Sequence, residues 1–206
     1  MPTYLMTVLA LLAAYLVGSI SFAVLSSRLF GLADPRTYGS GNPGATNVLR
    51  SGSKLAAVFT LLGDALKGAL AVFLAQQFGP QYGLGPSFVG LIALSVFAGH
   101  LYPVFLKFKG GKGVATAAGV LLAIDPWLGA ATLATWLFVA YATRYSSLAA
   151  LMAAAAAPLY AFLLWGSHAM VPPVAVIALT LIVKHWGNLQ RLMAGTEPKI
   201  GGKKKA

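Results

Sequence analysis

Three stretches of this chain gather the residue types that hold anions. In Tyr38-Gly39-Ser40-Gly41-Asn42-Pro43-Gly44-Ala45-Thr46-Asn47-Val48-Leu49-Arg50, three glycines and a proline within six residues make a tight loop whose backbone N–H groups can converge on an anion. Arg50 follows Asn47 by three residues and Thr46 by four, so all three share one face if a helix begins there. The second stretch, Lys107-Phe108-Lys109-Gly110-Gly111-Lys112-Gly113-Val114-Ala115-Thr116, is a glycine loop opening a helix. Such a loop offers unpaired amides and the positive end of a helix dipole, with Lys112 and Thr116 one turn apart to complete an anion site. The third, Lys184-His185-Trp186-Gly187-Asn188-Leu189-Gln190-Arg191, places His185, Asn188 and Arg191 within an arc of about 120° on a helix, at ~100° per residue.

The first two stretches also have a blander reading. The first is a glycine-rich turn with an arginine at lipid headgroups, and the second an ordinary basic loop. Gly39-x-Gly41-x-x-Gly44 matches the dinucleotide fingerprint, but that motif needs a preceding strand and a βαβ unit, and the surrounding sequence offers neither. A Walker A loop is excluded because the position five before Gly111 is Leu106, not glycine. His100 is expected to make a structural hydrogen bond and His168 to be incidental. Asp64 and Lys67, three residues apart in an apolar run, are expected to pair with each other in the bundle interior, where an unpaired charge costs about 2.5–3.5 kcal/mol. Ser146 and Ser147 are candidates for helix caps or for substrate contacts.

The elements that must carry these stretches are apolar. Of 206 residues, 58% are hydrophobic and 9% charged, against about 25% charged in soluble domains, so a water-soluble globule is ruled out. The absence of cysteine excludes a disulfide framework and a thiolate nucleophile, and four carboxylates with three histidines leave little room for a metal site. A hydrocarbon core of ~30 Å needs about 20 helical residues. Seven apolar runs qualify as spans: Tyr4 to Leu25, Leu55 to Phe78, Ser87 to Leu106, Gly113 to Ile124, Trp127 to Thr143, Ser147 to Trp165 and Met170 to Val183. Gly113 to Ile124 and Met170 to Val183 are short and need tilt or burial; five spans result if the former belongs to a re-entrant pair. The first run has no small-residue cleavage site behind it and is kept as a mature span.

Charge sidedness orients the bundle. With the N-terminus outside, fourteen of the fifteen basic residues fall on one side, none falls on the other, and Lys67 lies within a span. The positive-inside rule makes the basic side cytoplasmic. The net charge of +11 is thus accounted for by membrane orientation, and nucleic acid is not an expected partner. The expectation is an all-α integral membrane protein of seven transmembrane helices, N-terminus outside and C-terminus cytoplasmic. It forms a single domain over residues 1–206, with residues 199–206 a basic tail solvated beside the membrane.

All three polar stretches then meet at the cytoplasmic face. They bring Arg50, Lys112, Arg191, several amides and one histidine together, with no carboxylate expected among them. In this light Gly39 to Arg50, Gly110-Gly111-Lys112-Gly113-Val114-Ala115-Thr116 and His185-x-x-Asn188-x-x-Arg191-Leu192-x-x-Gly195-x-Glu197 resemble the three cytoplasmic motifs of the bacterial acyl-phosphate:glycerol-3-phosphate acyltransferases, the PlsY family. Asp64-Ala65-Leu66-Lys67-Gly68 and Tyr145-Ser146-Ser147-Leu148 are similar to the family as well, so the resemblance covers nearly the whole chain.

The resemblance implies an enzyme of the bacterial inner membrane, working at its cytoplasmic face in the first step of phospholipid synthesis. Such an enzyme moves a fatty acyl group from acyl phosphate to the sn-1 hydroxyl of glycerol 3-phosphate, without thioester, cofactor or metal. It implies Ser40, Asn42, Gly44, Thr46, Asn47, Lys112, Thr116 and the Gly110, Gly111 and Gly113 amides around acyl phosphate. Around glycerol 3-phosphate it implies Arg50, Lys112, Ser147, His185 and Asn188, with His185, Lys112 and Asn188 catalytic. Membrane lipid and the enzyme that makes acyl phosphate are the implied partners.

The residues agree with that chemistry. Soluble-type acyltransferases pair a histidine with an aspartate five residues on, whereas here those positions are Phe105, Pro173 and Gln190. Acyl phosphate is already activated, so alignment of the hydroxyl and stabilisation of the oxyanion by amides and Lys112 suffice. The proton goes to His185 or to a phosphate oxygen of the donor. A phosphate transporter would instead place binding groups near the midplane and show an internal repeat. A CDP-alcohol phosphotransferase would need clustered aspartates, and Asp34, Asp64 and Asp125 are each isolated in the chain.

Overall fold

The computed structural model describes residues 3–201, and the Lys203 to Lys205 tail lies outside the described residues. Among those residues regular structure is helical throughout, without a strand: α1 (Thr3–Gly18), α2 (Phe22–Leu29), α3 (Ala45–Val48), α4 (Lys54–Phe78), α5 (Pro86–Leu101), α6 (Val114–Ile124), α7 (Pro126–Thr143), α8 (Ser146–Trp165), α9 (Val171–Lys184) and α10 (Trp186–Met193). The main packing pairs are α4 with α6, α7 with α8, α1 with α5, and α8 with α9.

Helices lie at all seven expected positions. By length and composition, Lys54–Tyr82, Pro86–Leu106 and Ser146–Trp165 can each cross a membrane, and α1 with α2 makes a fourth if the bent pair is one span. The interior is small and partly polar, with Thr60, Asp64, Lys67 and His100 buried, while Leu62, Leu66, Leu70 and Phe138 point outward. Such an apolar exterior suits a lipid solvent. Small residues allow the close crossings. A Cβ on Gly119 would lie 1.9 Å from the Ala65 carbonyl oxygen, and one on Gly68 2.6 Å from that of Thr116, so α4 and α6 touch backbone to backbone. Gly18 against Val96 and Gly99 against Tyr15 do the same between α1 and α5.

Two expectations need correction, and one element is refined. The run from Tyr4 to Leu25 is not one helix but two, bent by 42°. Ser21 is extended there and its hydroxyl caps α2 by accepting from the Val24 amide, while the Ile20 carbonyl accepts from Lys67 Nζ at 2.7 Å instead of from a helical amide. Within the run from Ser87 to Leu106, which still qualifies as a span, the α-helix itself stops at Leu101, because Pro103 disfavours helical geometry at Tyr102, found at φ −134° and ψ 61°. Neither Ser146 nor Ser147 caps a helix: Tyr145 holds the cap position of α8, with no side-chain cap.

Candidate active site

The first loop turns through Gly39 and Gly41, both left-handed at φ +61° and +66°. A Cβ on Gly39 would meet Asn47 Oδ1 at 2.2 Å. Asn47 is buried and organises the loop: its Oδ1 accepts from the Ser40 amide at 3.0 Å and from Arg50 Nη1 at 3.3 Å, and its Nδ2 donates to the Pro35 and Tyr38 carbonyls. The Asn47 side chain is therefore engaged by the protein itself. Gly44 begins the one-turn helix α3, its carbonyl accepting from the Asn47 and Val48 amides. Asn42 packs its Nδ2 close to Gly44, and the Thr46 and Ser146 hydroxyls share a hydrogen bond of 3.3 Å.

The second loop lies flat on the end of α5. Gly111 donates its amide to the His100 carbonyl at 3.2 Å, whereas the amides of Gly110, Lys112 and Gly113 have no acceptor among the described residues. Gly113 precedes α6 at φ +86°, with the Phe97 ring against the place a Cβ would occupy. Three of the four expected amides thus remain available to an anion. Thr116 is fully buried on the face of α6 that crosses α4 at Gly68, its hydroxyl without a partner, so it does not share the loop's surface with Lys112.

The third stretch breaks at His185, the junction of α9 and α10. His185 Nδ1 donates to the Leu181 carbonyl at 2.8 Å, which leaves Nε2 as the acceptor in the neutral ring. Burial pushes this imidazole down to about 4; the bond to Leu181 opposes that shift and the nearby Lys112 charge adds to it. Lys112 Nζ donates to Asn188 Oδ1, and Asn188 Nδ2 donates to Glu197 Oε1 at 2.6 Å. An ammonium can only donate and a carboxylate only accept, so the orientation of the Asn188 amide is fixed by its two neighbours. Burial lowers the Lys112 pKa, with Arg191 and Arg50 adding to the shift and Glu197 opposing it.

Glu197 overturns the expectation of a carboxylate-free site. It is buried, and besides Asn188 it accepts from the Ser147 hydroxyl at 2.7 Å and from Arg191 Nε at 2.8 Å. Its place in the third motif was the available signal. Burial would raise its pKa, but the bonds from Ser147, Asn188 and Arg191 together hold it below the usual carboxylate range. Gly39, Ser40, Lys112, Lys184, Gly187, Asn188 and Arg191 line a cavity of about 490 Å³ at this face. Lys184 was not among the expected site residues; its Nζ stands 4.0 Å from the centre of the Tyr102 ring. Arg50, Thr46, Ser147 and His185 are not among the residues that line it. The arrangement can bind anions through Lys112, Lys184 and Arg191, and can accept a proton or hydrogen bond at His185 Nε2.

Comparison with known proteins agrees with this geometry. The family profile described as Glycerol-3-phosphate acyltransferase matches residues 8–195. A glycerol-3-phosphate acyltransferase of Dechloromonas aromatica (strain RCB) is 65% identical over 198 residues, covering 96% of this chain and 98% of that protein. One from Ralstonia nicotianae is 60% identical over 205 residues, covering 100% and 99%. Crystal structures of PlsY (YgiH), an integral membrane glycerol 3-phosphate acyltransferase, superpose with TM-scores of 0.87 for the glycerol 3-phosphate form and 0.86 for the lysophosphatidic acid form. Identities are 36% and 35%, over 94% of both chains in each case. With the profile spanning nearly its whole length, this chain belongs to the glycerol-3-phosphate acyltransferase family.

Proposed function

We propose that this chain is a membrane glycerol-3-phosphate acyltransferase that takes its acyl group from acyl phosphate and delivers it to the sn-1 hydroxyl. The observation that carries this reading is the cavity in which Lys112 and Arg191 face Ser40 and Asn188, beside the unpaired amides of Gly110, Lys112 and Gly113. The glycine loop and Ser40 seat the acyl phosphate, with Asn42, Gly44, Thr46 and Asn47 shaping that wall. Arg50, Ser147, His185 and Asn188 surround glycerol 3-phosphate, and Lys112 serves both substrates.

The sn-1 oxygen attacks the acyl carbonyl carbon, giving a tetrahedral oxyanion that Lys112 and the loop amides stabilise. Collapse breaks the carbon–oxygen bond to phosphate and yields lysophosphatidic acid and inorganic phosphate. The hydroxyl proton ends on an oxygen of the departing phosphate, which gains basicity as it is released as inorganic phosphate, whereas burial holds the His185 imidazole down at about 4. His185 Nε2 accepts a hydrogen bond from the neighbouring sn-2 hydroxyl and so aims the sn-1 oxygen.

The bundle crosses the bacterial inner membrane seven times as one domain, N-terminus outside and C-terminus cytoplasmic. Acyl phosphate, an enzyme that makes it, and lipid as product acceptor are the partners. Purified protein given palmitoyl phosphate and labelled glycerol 3-phosphate without metal, with acyl-CoA as parallel donor, tests the reading. Lysophosphatidic acid from acyl phosphate alone, lost in Lys112→Ala, supports it. Saturable glycerol 3-phosphate binding without product would point to a transporter.

A further inference from the structure

Below the glycine loop lies a buried charge cluster that the proposed reaction does not use. Lys67 Nζ is surrounded by three acceptors: the Ile20 carbonyl at 2.7 Å, Asp64 Oδ1 at 2.7 Å as an ion-pair partner, and His100 Nδ1 at 3.0 Å. Two of these contacts, to Ile20 and His100, are hydrogen bonds, and the Asp64 carboxylate neutralises the charge. Because Lys67 donates to Nδ1, the neutral His100 ring carries its proton on Nε2, the edge turned towards the loop. A Cβ on Gly111 would stand 2.3 Å from that Nε2, and one on Gly110 2.2 Å from the His100 carbonyl oxygen. The same carbonyl accepts the Gly111 amide.

His100 therefore touches the glycine doublet with both backbone and ring, and its other edge is anchored to α4 and to the bend between α1 and α2. Simple charge neutralisation needs only Asp64 and Lys67. A loop that must hold Lys112 opposite Ser40 and Asn188 needs a floor at fixed height, since errors of about 1 Å in placing reacting groups cost on the order of 100-fold.

We propose that His100 is a positioning residue: seated on Lys67, its Nε2 edge sets the height of Gly110 and Gly111, and so places Lys112 and the free amides for substrate phosphate. This rests on the acyltransferase reading above. Asp64 and Lys67 act through it, and glycine is required at position 111 because any side chain would lift the loop off the ring.

His100→Asn separates this role from plain structural support. The shorter amide retains an acceptor where Nδ1 meets Lys67, but withdraws the edge beneath Gly111. Thermal midpoint and both KM values are measured on wild type, His100→Asn, Gly111→Ala and the double variant. His100→Asn is expected to keep the wild-type midpoint and to raise at least fivefold the KM of the substrate the loop seats, acyl phosphate on the reading above. The double variant should be no worse than Gly111→Ala alone, since both changes disturb one contact. Wild-type KM values for both substrates in His100→Asn, or penalties that multiply in the double variant, would overturn the proposal. If His100→Asn does not fold, Gly111→Ala decides alone: raised KM at an unchanged midpoint supports the proposal, and wild-type kinetics overturn it. A wild-type protein that makes no lysophosphatidic acid overturns the acyltransferase reading, and the positioning role with it.

Discussion

The Ser147 hydroxyl donates to Glu197 Oε1 at 2.7 Å, tying the first turn of α8 to the segment that follows α10. Glu197 in turn holds Asn188, and Asn188 holds Lys112. Replacing Glu197 by alanine strands two buried donors, each costing about 1–3 kcal/mol. Glu197→Ala is expected to lower the thermal midpoint clearly, and Glu197→Gln to lower it less. The folded-state pKa of Glu197 lies below its unfolded value, so its contribution to stability is present above about pH 4.5 and fades as pH falls through the folded pKa. Midpoints measured from pH 7 down to 4 should therefore drop more steeply for wild type than for Glu197→Gln.

The pH profile of turnover distinguishes the two proton acceptors. With His185 pushed down to about 4, its ring stays neutral over the assay range, so an acid limb of kcat/KM within that range should come from ionisation of the substrate phosphates. His185→Gln should lower kcat about tenfold through lost alignment while leaving that limb in place. A limb that disappears in this variant would assign the base to His185.

Lys112 acts as a point charge aimed at Asn188 Oδ1 and the cavity. Lys112→Ala should reduce kcat by about 10²–10³-fold, the range for removing one oxyanion donor. Lys112→Arg should stay on the order of tenfold below wild type, because a planar fork does not replace a compact ammonium. Initial rates at saturating substrate decide both.

Helix contact far from the cavity is equally testable. Gly119→Ala puts a methyl 1.9 Å from the Ala65 carbonyl oxygen, so α4 and α6 must separate. Overpacking of this kind costs about 1–3 kcal/mol. The expected result is a lower midpoint with nearly unchanged KM values.

Sidedness can be read by single-cysteine labelling, since the chain has no cysteine. In intact cells an impermeant maleimide should label Gln81→Cys and Ser167→Cys, both exposed, and spare Thr37→Cys and Lys109→Cys until the membrane is opened. The reverse pattern would invert the topology.

Most helices were legible because they follow from composition and punctuation. Asp125-Pro126, Gly166-Ser167 and Pro172-Pro173 mark ends that α7, α8 and α9 respect within a few residues. The Asp64 and Lys67 pair was legible from spacing and from the cost of a lone charge in lipid. The bend at Ile20 was not, because Lys67, which donates to the Ile20 carbonyl, lies 47 residues away on α4. Asn47 read as a ligand residue by type, yet its amide holds the loop, a role that depends on where Pro35, Tyr38 and Ser40 lie in space.

Amino-acid order by itself determined an apolar helical chain and three anion-seeking stretches. Those properties depend on neighbours in sequence and on the solvent each segment requires. Tertiary structure alone decided that Glu197 buries its carboxylate against Ser147 and Asn188, that Thr116 turns away to α4, and that His100 lies beneath Gly111. These contacts are set by how the chain turns after α5 and α10 and by how closely α4 and α6 approach, and no local pattern encodes that geometry.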